Sequence, residues 1–243
     1  MDIGEQMLIS GAEVHRVEDS ISRICRSFGA TRVDAFIITS CMILTVHCPD
    51  GRTHTQTRRI NSLGTDFDRL DKLNQLSRRI CGENMSAEEI RAELSVIKAQ
   101  KRYPSCVQCI TYAIISGVFT LFFGGSAIQA IISALIGAAG WLIIRISNSI
   151  IENKIFSKFI CSFFVTATAF LFVKLGAAAQ TDEIIIGNIM YLIPGIAFTN
   201  SLRDLFTGDS IAGILQFLEA ILGALAIAAG YFLFVFMTGG GAV

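Results

Sequence analysis

Five apolar segments follow a polar first hundred residues, and they restrict the fold more than any other feature. They cover residues 106–123, 127–144, 159–179, 184–198 and 211–237. A helix needs about 20 mostly apolar residues to cross the hydrocarbon core of a bilayer. The first, second and fifth segments meet this need. Lys174 lies near the end of the third, where a long side chain can reach the interface. The fourth is short and is interrupted at Pro194-Gly195, but we predict that all five are transmembrane helices.

Charged residues divide the chain into two parts. Residues 1–104 hold fifteen of the 20 Lys/Arg and fourteen of the 20 Asp/Glu, although the mean hydropathy of the whole chain is +0.58. We therefore predict a membrane all-α bundle of five transmembrane helices over residues 105–243, preceded by a small cytoplasmic α+β domain over residues 1–104. The lipid bilayer is thus one partner. The net charge of zero argues against nucleic acid as another.

Hydrophobic periodicity and turn residues predict the elements of the first domain. We expect an amphipathic helix, a β-rich segment, a polar strand after the turn signal Pro49-Asp50-Gly51, and two further helices. These elements cover residues 3–28, 33–46, 53–60, 66–81 and 86–101. Their order would be α-β-β-α-α.

Positively charged residues predict the orientation in the membrane. Lys and Arg occur just before the first span, between the second and third, and between the fourth and fifth, whereas residues 124–126 and 180–183 contain none. Because cytoplasmic loops are enriched in these residues, the N-terminus is expected inside and the C-terminus outside. Residues 1–30 lack the apolar run of a signal peptide, which also favours a cytoplasmic N-terminus.

The cysteines and histidines give no sign of a metal or cofactor. The chain has seven cysteines, and Cys106 and Cys109 have no second cysteine pair or nearby histidine to complete a site. We expect no metal, no cofactor and no catalytic residues, because no nucleophile–base motif or phosphate-binding loop is present. The chain is therefore not expected to be an enzyme.

Helix breakers and a polar residue interrupt the fourth segment. Proline removes a backbone donor, and the adjacent glycine lets the chain unwind. Pro194-Gly195, with Asn188 and Asn200, could therefore shape a substrate path through the membrane. The alternatives are an ordinary kink in a packed helix and, for Asn188, a hydrogen bond between helices.

Polar residues between the fourth and fifth segments predict a gate. Arg203, Asp204, Gly208 and Asp209 could form a polar turn that closes the cytoplasmic end of the path, and Gly213 would permit close backbone approach. A solvated cytoplasmic loop is the other interpretation.

Glu219 lies within the fifth apolar segment. A carboxylate there is costly unless it is paired or hydrated. It could be a protonatable residue that couples ion movement to transport. Alternatively, it forms a static ion pair with Arg203.

A compact polar group lies on the predicted first helix. It comprises Gly11, Glu13, Arg16 and Glu18, of which Glu13 and Arg16 are three positions apart and can pair. A solvated helix face is the simplest interpretation. The other is a contact with the membrane half or with a partner.

Two of these motifs together resemble a known family. The opening Gly11-Ala-Glu13-Val-His-Arg16-Val-Glu18 resembles the N-terminal signature of the bacterial threonine/serine exporter family. A second run resembles that family's second signature. It extends from Pro194-Gly195 through Asn200, Arg203-Asp204, Gly208-Asp209 and Gly213 to Glu219-Ala220. The two motifs are separated by four apolar segments.

The resemblance implies ion-gradient-driven export of small hydrophilic metabolites across the bacterial plasma membrane. Threonine and serine are the named substrates, and a split branch of the family is associated with dicarboxylates such as succinate. Full-length members carry two membrane halves, so this chain resembles the larger subunit of a split system with a second, small membrane partner; a homo-oligomer is a further possibility. A non-transporting membrane sensor or partner-binding protein is the rival hypothesis.

Overall fold

The computed structural model describes residues 1–83, 85–100, 103–151, 153–178 and 180–239, and within them the chain forms ten helices and three strands. In order these are α1 Asp2–Ile9, α2 Val14–Ser27, β1 Arg32–Ile38, β2 Cys41–His47, β3 Thr53–Arg59, α3 Phe67–Gly82, α4 Ala87–Ala99, α5 Ser105–Phe122, α6 Ala127–Ile150, α7 Lys154–Lys174, α8 Asp182–Ile189, α9 Gly195–Thr207 and α10 Ser210–Met237. They fall into two compact units. Unit 1 comprises residues 1–101 and 196–217, and unit 2 comprises residues 102–195 and 218–243.

Unit 1 is built around a three-stranded antiparallel sheet in the order β1-β2-β3. Leu44 of β2 lies opposite Ala35 of β1 and Gln56 of β3. Helices α1 to α3 bury their apolar faces, including Met7, Val17 and Leu73, in one hydrophobic core with the sheet. That core is the α+β structure that the sequence predicts.

Two elements of unit 1 differ from the prediction. The predicted helix over residues 3–28 is two helices, α1 and α2. The break follows from Gly11, whose φ of +94° is a left-handed conformation that residues with a Cβ rarely adopt. The predicted strand over residues 33–46 is a hairpin of β1 and β2 that turns between Ile38 and Cys41. Because that turn contains no Gly or Pro, the sequence of residues 33–46 predicts one continuous strand. The order is therefore α-α-β-β-β-α-α.

Unit 2 is helical. Its core lies among α6, α7, α8 and the second part of α10, and it includes Ile136, Val165 and Ile184. Ser126 begins α6 with a capping box: its hydroxyl accepts from the backbone N–H of Gln129, and the Gln129 side chain accepts from the Ser126 N–H at 2.7 Å.

Among the described residues, four helices are long and apolar enough to cross a membrane: α5, α6, α7 and α10. The prediction of five continuous spans is not confirmed. The fourth predicted segment, 184–198, is divided between α8 and α9, and α9 begins only at Gly195. The reason is local: Pro194 lacks a backbone N–H and its ring is incompatible with a continuing helix.

Residues 196–217 belong to unit 1 rather than to unit 2. The sequence predicts them as part of the membrane half, residues 105–243. They comprise most of α9 and the start of α10, and Ala212 is part of the unit 1 core. The predicted polar hinge after Pro194-Gly195 is thus largely helical, because Ile196–Thr207 forms regular α-helix.

Candidate functional site

Helix α9 is joined to the connection between α1 and α2 by two polar contacts. The Arg203 guanidinium donates to the Glu13 carboxylate and forms an ion pair with it. The Asn200 side-chain amide donates to the backbone oxygen of Gly11 at 3.3 Å. Glu13 precedes the first residue of α2, and its side chain is 14% exposed, against 57% for Arg203. The structure therefore brings together residues that are about 190 positions apart.

Asp204, the next residue of α9, is fully buried. Its Oδ2 accepts a hydrogen bond from the Gln216 amide of α10 at 3.3 Å. Its Oδ1 has no hydrogen-bond partner among the described residues. Arg203 is exposed, so two adjacent residues of one helix have opposite environments.

Asp209 lies in the turn between α9 and α10. Gly208, with φ +102°, ends α9, and the Asp209 N–H donates to the Asp204 backbone oxygen at 2.9 Å. The Asp209 backbone oxygen then accepts from Gly213 N–H at 2.9 Å as α10 begins. Within the described chain its buried Oδ2 has no hydrogen-bond partner.

The other members of the N-terminal motif lie on α2. Glu18 is half-buried, and its carboxylate accepts from the backbone N–H of Ile37 in β1 at 3.2 Å. Arg16 is exposed. The pair that the sequence suggests for Glu13 and Arg16 is replaced, because Glu13 binds Arg203 instead.

Three carboxyl groups thus form an acidic cluster, which we define as Glu18, Asp204 and Asp209. Burial, and next the charge of Asp209, raises the pKa of Glu18 to about 7. The same two causes raise the pKa of Asp204 to about 6, against weaker opposing contributions from the Val14 N–H and His15. These carboxyls therefore gain protons near neutral pH, where exposed carboxyls are ionised.

Asn188 is buried in unit 2, in a hydrogen-bonded cluster between helices. Its amide donates to Ser133 Oγ of α6 at 2.7 Å and to the Ile184 backbone oxygen at 2.9 Å. Ser133 Oγ also accepts from Thr120 Oγ1 of α5 at 2.7 Å. These contacts form a bridge between helices, the interpretation of Asn188 that stands beside a path-lining role.

The remaining predicted residues occupy separate places. Pro194 ends the non-helical connection after α8, and Gly195 begins α9. Glu219 is exposed on α10. The ion pair that the structure gives to Arg203 is with Glu13.

Sequence reasoning missed Gln216 and the Thr120–Ser133 pair. Gln216, Thr120 and Ser133 are polar residues within apolar helices, and their presence there was the available signal. Within the described ranges, no group of three or more His, Cys, Asp or Glu residues is arranged to hold a metal ion.

Four membrane-length apolar helices and a polar α+β unit define a multi-pass membrane protein. The chain matches the family described as "Putative threonine/serine exporter" over residues 1–238. It therefore belongs to the threonine/serine exporter family, a family of transporters.

Curated relatives are similar over almost the whole chain. A "Probable succinate transporter subunit YjjP" of Klebsiella aerogenes is 22% identical over 96% of this chain and 90% of its own length. The protein of that name in Escherichia coli is 21% identical, over 92% and 87%. A "Probable threonine/serine exporter" of Mycobacterium tuberculosis is 20% identical over 94% of this chain, which spans only 43% of that relative. No solved structure matches the chain.

Proposed function

We propose that this chain is the larger subunit of a two-chain exporter of small hydrophilic metabolites, driven by an ion gradient. The observation that carries the proposal is the attachment of α9 to the N-terminal motif through Arg203–Glu13 and Asn200–Gly11. Both motifs that resemble the exporter family thus build one polar site. An ordinary kink at Pro194-Gly195 would not require these two distant motifs to contact each other.

The broken segment supports a transport path. Helix α8 has eight residues, so it extends about 12 Å along the membrane normal at most, less than half of the ~30 Å hydrocarbon core. If the chain crosses the membrane here, irregular backbone around residues 190–194 completes the crossing. Such backbone is tolerated at membrane depth only where it is buried in protein or lines a water-filled cavity.

We infer five crossings, with the N-terminus in the cytoplasm of a bacterium and the C-terminus outside the plasma membrane. The positively charged loops support this orientation. The membership of residues 196–217 in the same unit as the polar residues 1–101 supports a cytoplasmic position for α9. In this arrangement Arg203, Asp204, Gly208 and Asp209 form the cytoplasmic gate.

We infer that a second, small membrane subunit supplies the other half of the path. The relatives named as transporter subunits have nearly the length of this chain. The mycobacterial exporter is more than twice as long as the segment that this chain matches. A split of one two-half transporter into two chains accounts for both lengths.

We propose threonine and serine as the first substrates to test and succinate-like dicarboxylates as the second. All of them carry at least one carboxylate and are too hydrophilic to cross a bilayer unaided. The relatives' names divide between these two classes. The family assignment alone therefore does not decide between them.

Efflux measurements test the proposal. Cells lacking the gene are loaded with labelled threonine, serine or succinate and complemented with this chain, with and without a candidate small membrane subunit. We expect faster efflux of one substrate class only when both chains are present. Arg203→Gln should reduce the rate, whereas Asp19→Asn, which alters an exposed carboxylate on α2, should not. Equal efflux of all three compounds with and without both chains would refute the assignment.

A further inference from the structure

Two buried carboxylate oxygens in unit 1 lack hydrogen-bond partners among the described residues: Asp204 Oδ1 and Asp209 Oδ2. Asp204 is fully buried, and the donors it does have, the Gln216 amide and the backbone N–H of Val14, are both neutral. A buried carboxylate oxygen without a partner disfavours the charged form, whereas a protonated carboxyl in the same place carries no charge. The geometry therefore favours a bound proton.

The charged and polar groups around the acidic cluster do not neutralise it. They come from the start of α2, α9, α10 and β1 and are Glu13, His15, Arg203, Gln216 and the backbone N–H groups of Val14 and Ile37. The Arg203 guanidinium is engaged by Glu13 on the exposed face of α9. Gln216 is neutral, and His15 is exposed on α2. The three carboxyls of the cluster and Glu13 are thus four acidic groups, against Arg203 and one histidine.

We propose that Glu18, Asp204 and Asp209 form one proton-binding site, and that this site, rather than Glu219, carries the coupling ion of the exporter. The coupling role rests on the proposed function, but the proton site does not. When a proton from water binds a carboxylate of the cluster, one negative charge is neutralised and no covalent bond is broken. When it leaves, repulsion within the cluster pushes the α9–α10 turn away from α2.

Electrostatics and donor geometry both favour a proton over a metal cation. Burial and the charge of Asp209 raise the pKa of both Glu18 and Asp204, so their protons exchange near neutral pH. The three carboxyls do not converge as ligands, since no metal-binding arrangement is found in the described part of the chain. Because the groups interact, the protons leave in macroscopic steps that belong to the cluster.

Infrared difference spectroscopy of the reconstituted protein tests the site without a transport assay. The carbonyl band of protonated carboxyls is followed as the pH is lowered from about 8 to about 5, a range in which ordinary carboxyls stay ionised. We expect Asp204→Asn to remove one of the carboxyls that titrate in this range and Glu18→Gln to remove another. Asp209→Asn should shift the remaining titration to lower pH, because the charge of Asp209 raises both pKa values.

Asp19→Asn is the matched control, because Asp19 lies next to Glu18 on α2 but is exposed and paired with Arg23. Its spectrum should equal that of the unmodified protein. Thermal melting identifies any variant that fails to fold, and the Glu18 variant then replaces Asp204→Asn. An unchanged carbonyl band in the folded variants would overturn the proposal. Loss of the band on adding Na⁺ at constant pH would also overturn it, in favour of a metal cation.

Flux measurements on the same vesicles separate this inference from the proposed function. If a pH gradient drives export, Asp204→Asn should abolish the dependence of flux on that gradient, and Glu219→Gln should retain it. Normal titration with no flux of any substrate contradicts the exporter assignment but leaves the proton site intact. Gradient-dependent flux that persists in Asp204→Asn refutes the coupling role.

Discussion

Helices α9 and α10 meet at Gly213, and an added methyl group there should loosen the turn that holds the acidic cluster. An alanine Cβ at this position would lie 2.9 Å from both the Ser201 backbone oxygen and the Leu205 backbone nitrogen, and 2.7 Å from Leu205 Cγ. Ordinary contacts begin near 3.4 Å. Because two of the three neighbours are backbone atoms, no side-chain rotation relieves the overlap. The helices must separate by about half an ångström.

The expected cost of Gly213→Ala follows from two opposing effects. Overpacking costs about 1–3 kcal/mol, and replacing glycine by alanine inside a helix returns about 0.5–1 kcal/mol. The net loss is about 1 kcal/mol, which lowers the melting temperature by roughly 2–4 °C in a chain of this size. Circular dichroism of the purified protein during heating measures it.

Gly82→Ala is the control for this measurement. An added Cβ at Gly82, at the end of α3, meets no atom within 4 Å, so alanine should leave the melting temperature unchanged or raise it. If Gly213→Ala melts at or above the temperature of Gly82→Ala, the close approach of α9 to α10 is wrong. The export rate of Gly213→Ala should also fall, because the shift displaces Asp204 and Asp209.

Three further predictions concern hydrogen bonds and protons in the two units. Arg203→Gln and Glu13→Gln should each slow export, and the double variant should be no slower than either. Melting experiments on the three variants should give a coupling energy of about 1 kcal/mol. Additive effects of the two substitutions would contradict the ion pair. Asn188→Ala breaks the 2.7 Å bond to Ser133 and should destabilise the protein by about 1 kcal/mol, whereas unchanged melting would argue against the bridge. The free energy of unfolding should fall as pH rises from about 5 to about 8, because folded Glu18 keeps its proton up to a pKa of about 7 and unfolded glutamate releases it near 4.5. Glu18→Gln should flatten this dependence of the melting temperature on pH, and an unaltered slope would refute the role of Glu18.

Much of the local structure follows from short-range rules. The apolar segments that became α5, α6, α7 and α10 are readable from hydropathy and length, since backbone groups in lipid must form their own hydrogen bonds. Ser86 and Glu89 form the capping box at the start of α4, a pattern that depends only on a three-residue spacing.

Other features of the fold were beyond such rules. The β1–β2 turn at Thr39-Ser40 lacks a Gly or Pro, so only the pairing of Ile38 with Cys41 reveals it. The apolar residues of 184–198 have spanning composition, yet a proline decides that no single long helix forms. Hydropathy averages over a window and does not register one missing N–H.

The candidate site shows the same division. The sequence by itself singled out Glu13 and Glu18 as part of a compact polar group on the first predicted helix. It singled out Arg203, Asp204 and Asp209 as polar residues between two apolar segments. Only the tertiary structure decided their partners: it paired Arg203 with Glu13 and buried Asp204 beside Asp209. The physical reason is that local rules act over a few residues, whereas burial and charge pairing depend on which distant segments pack together.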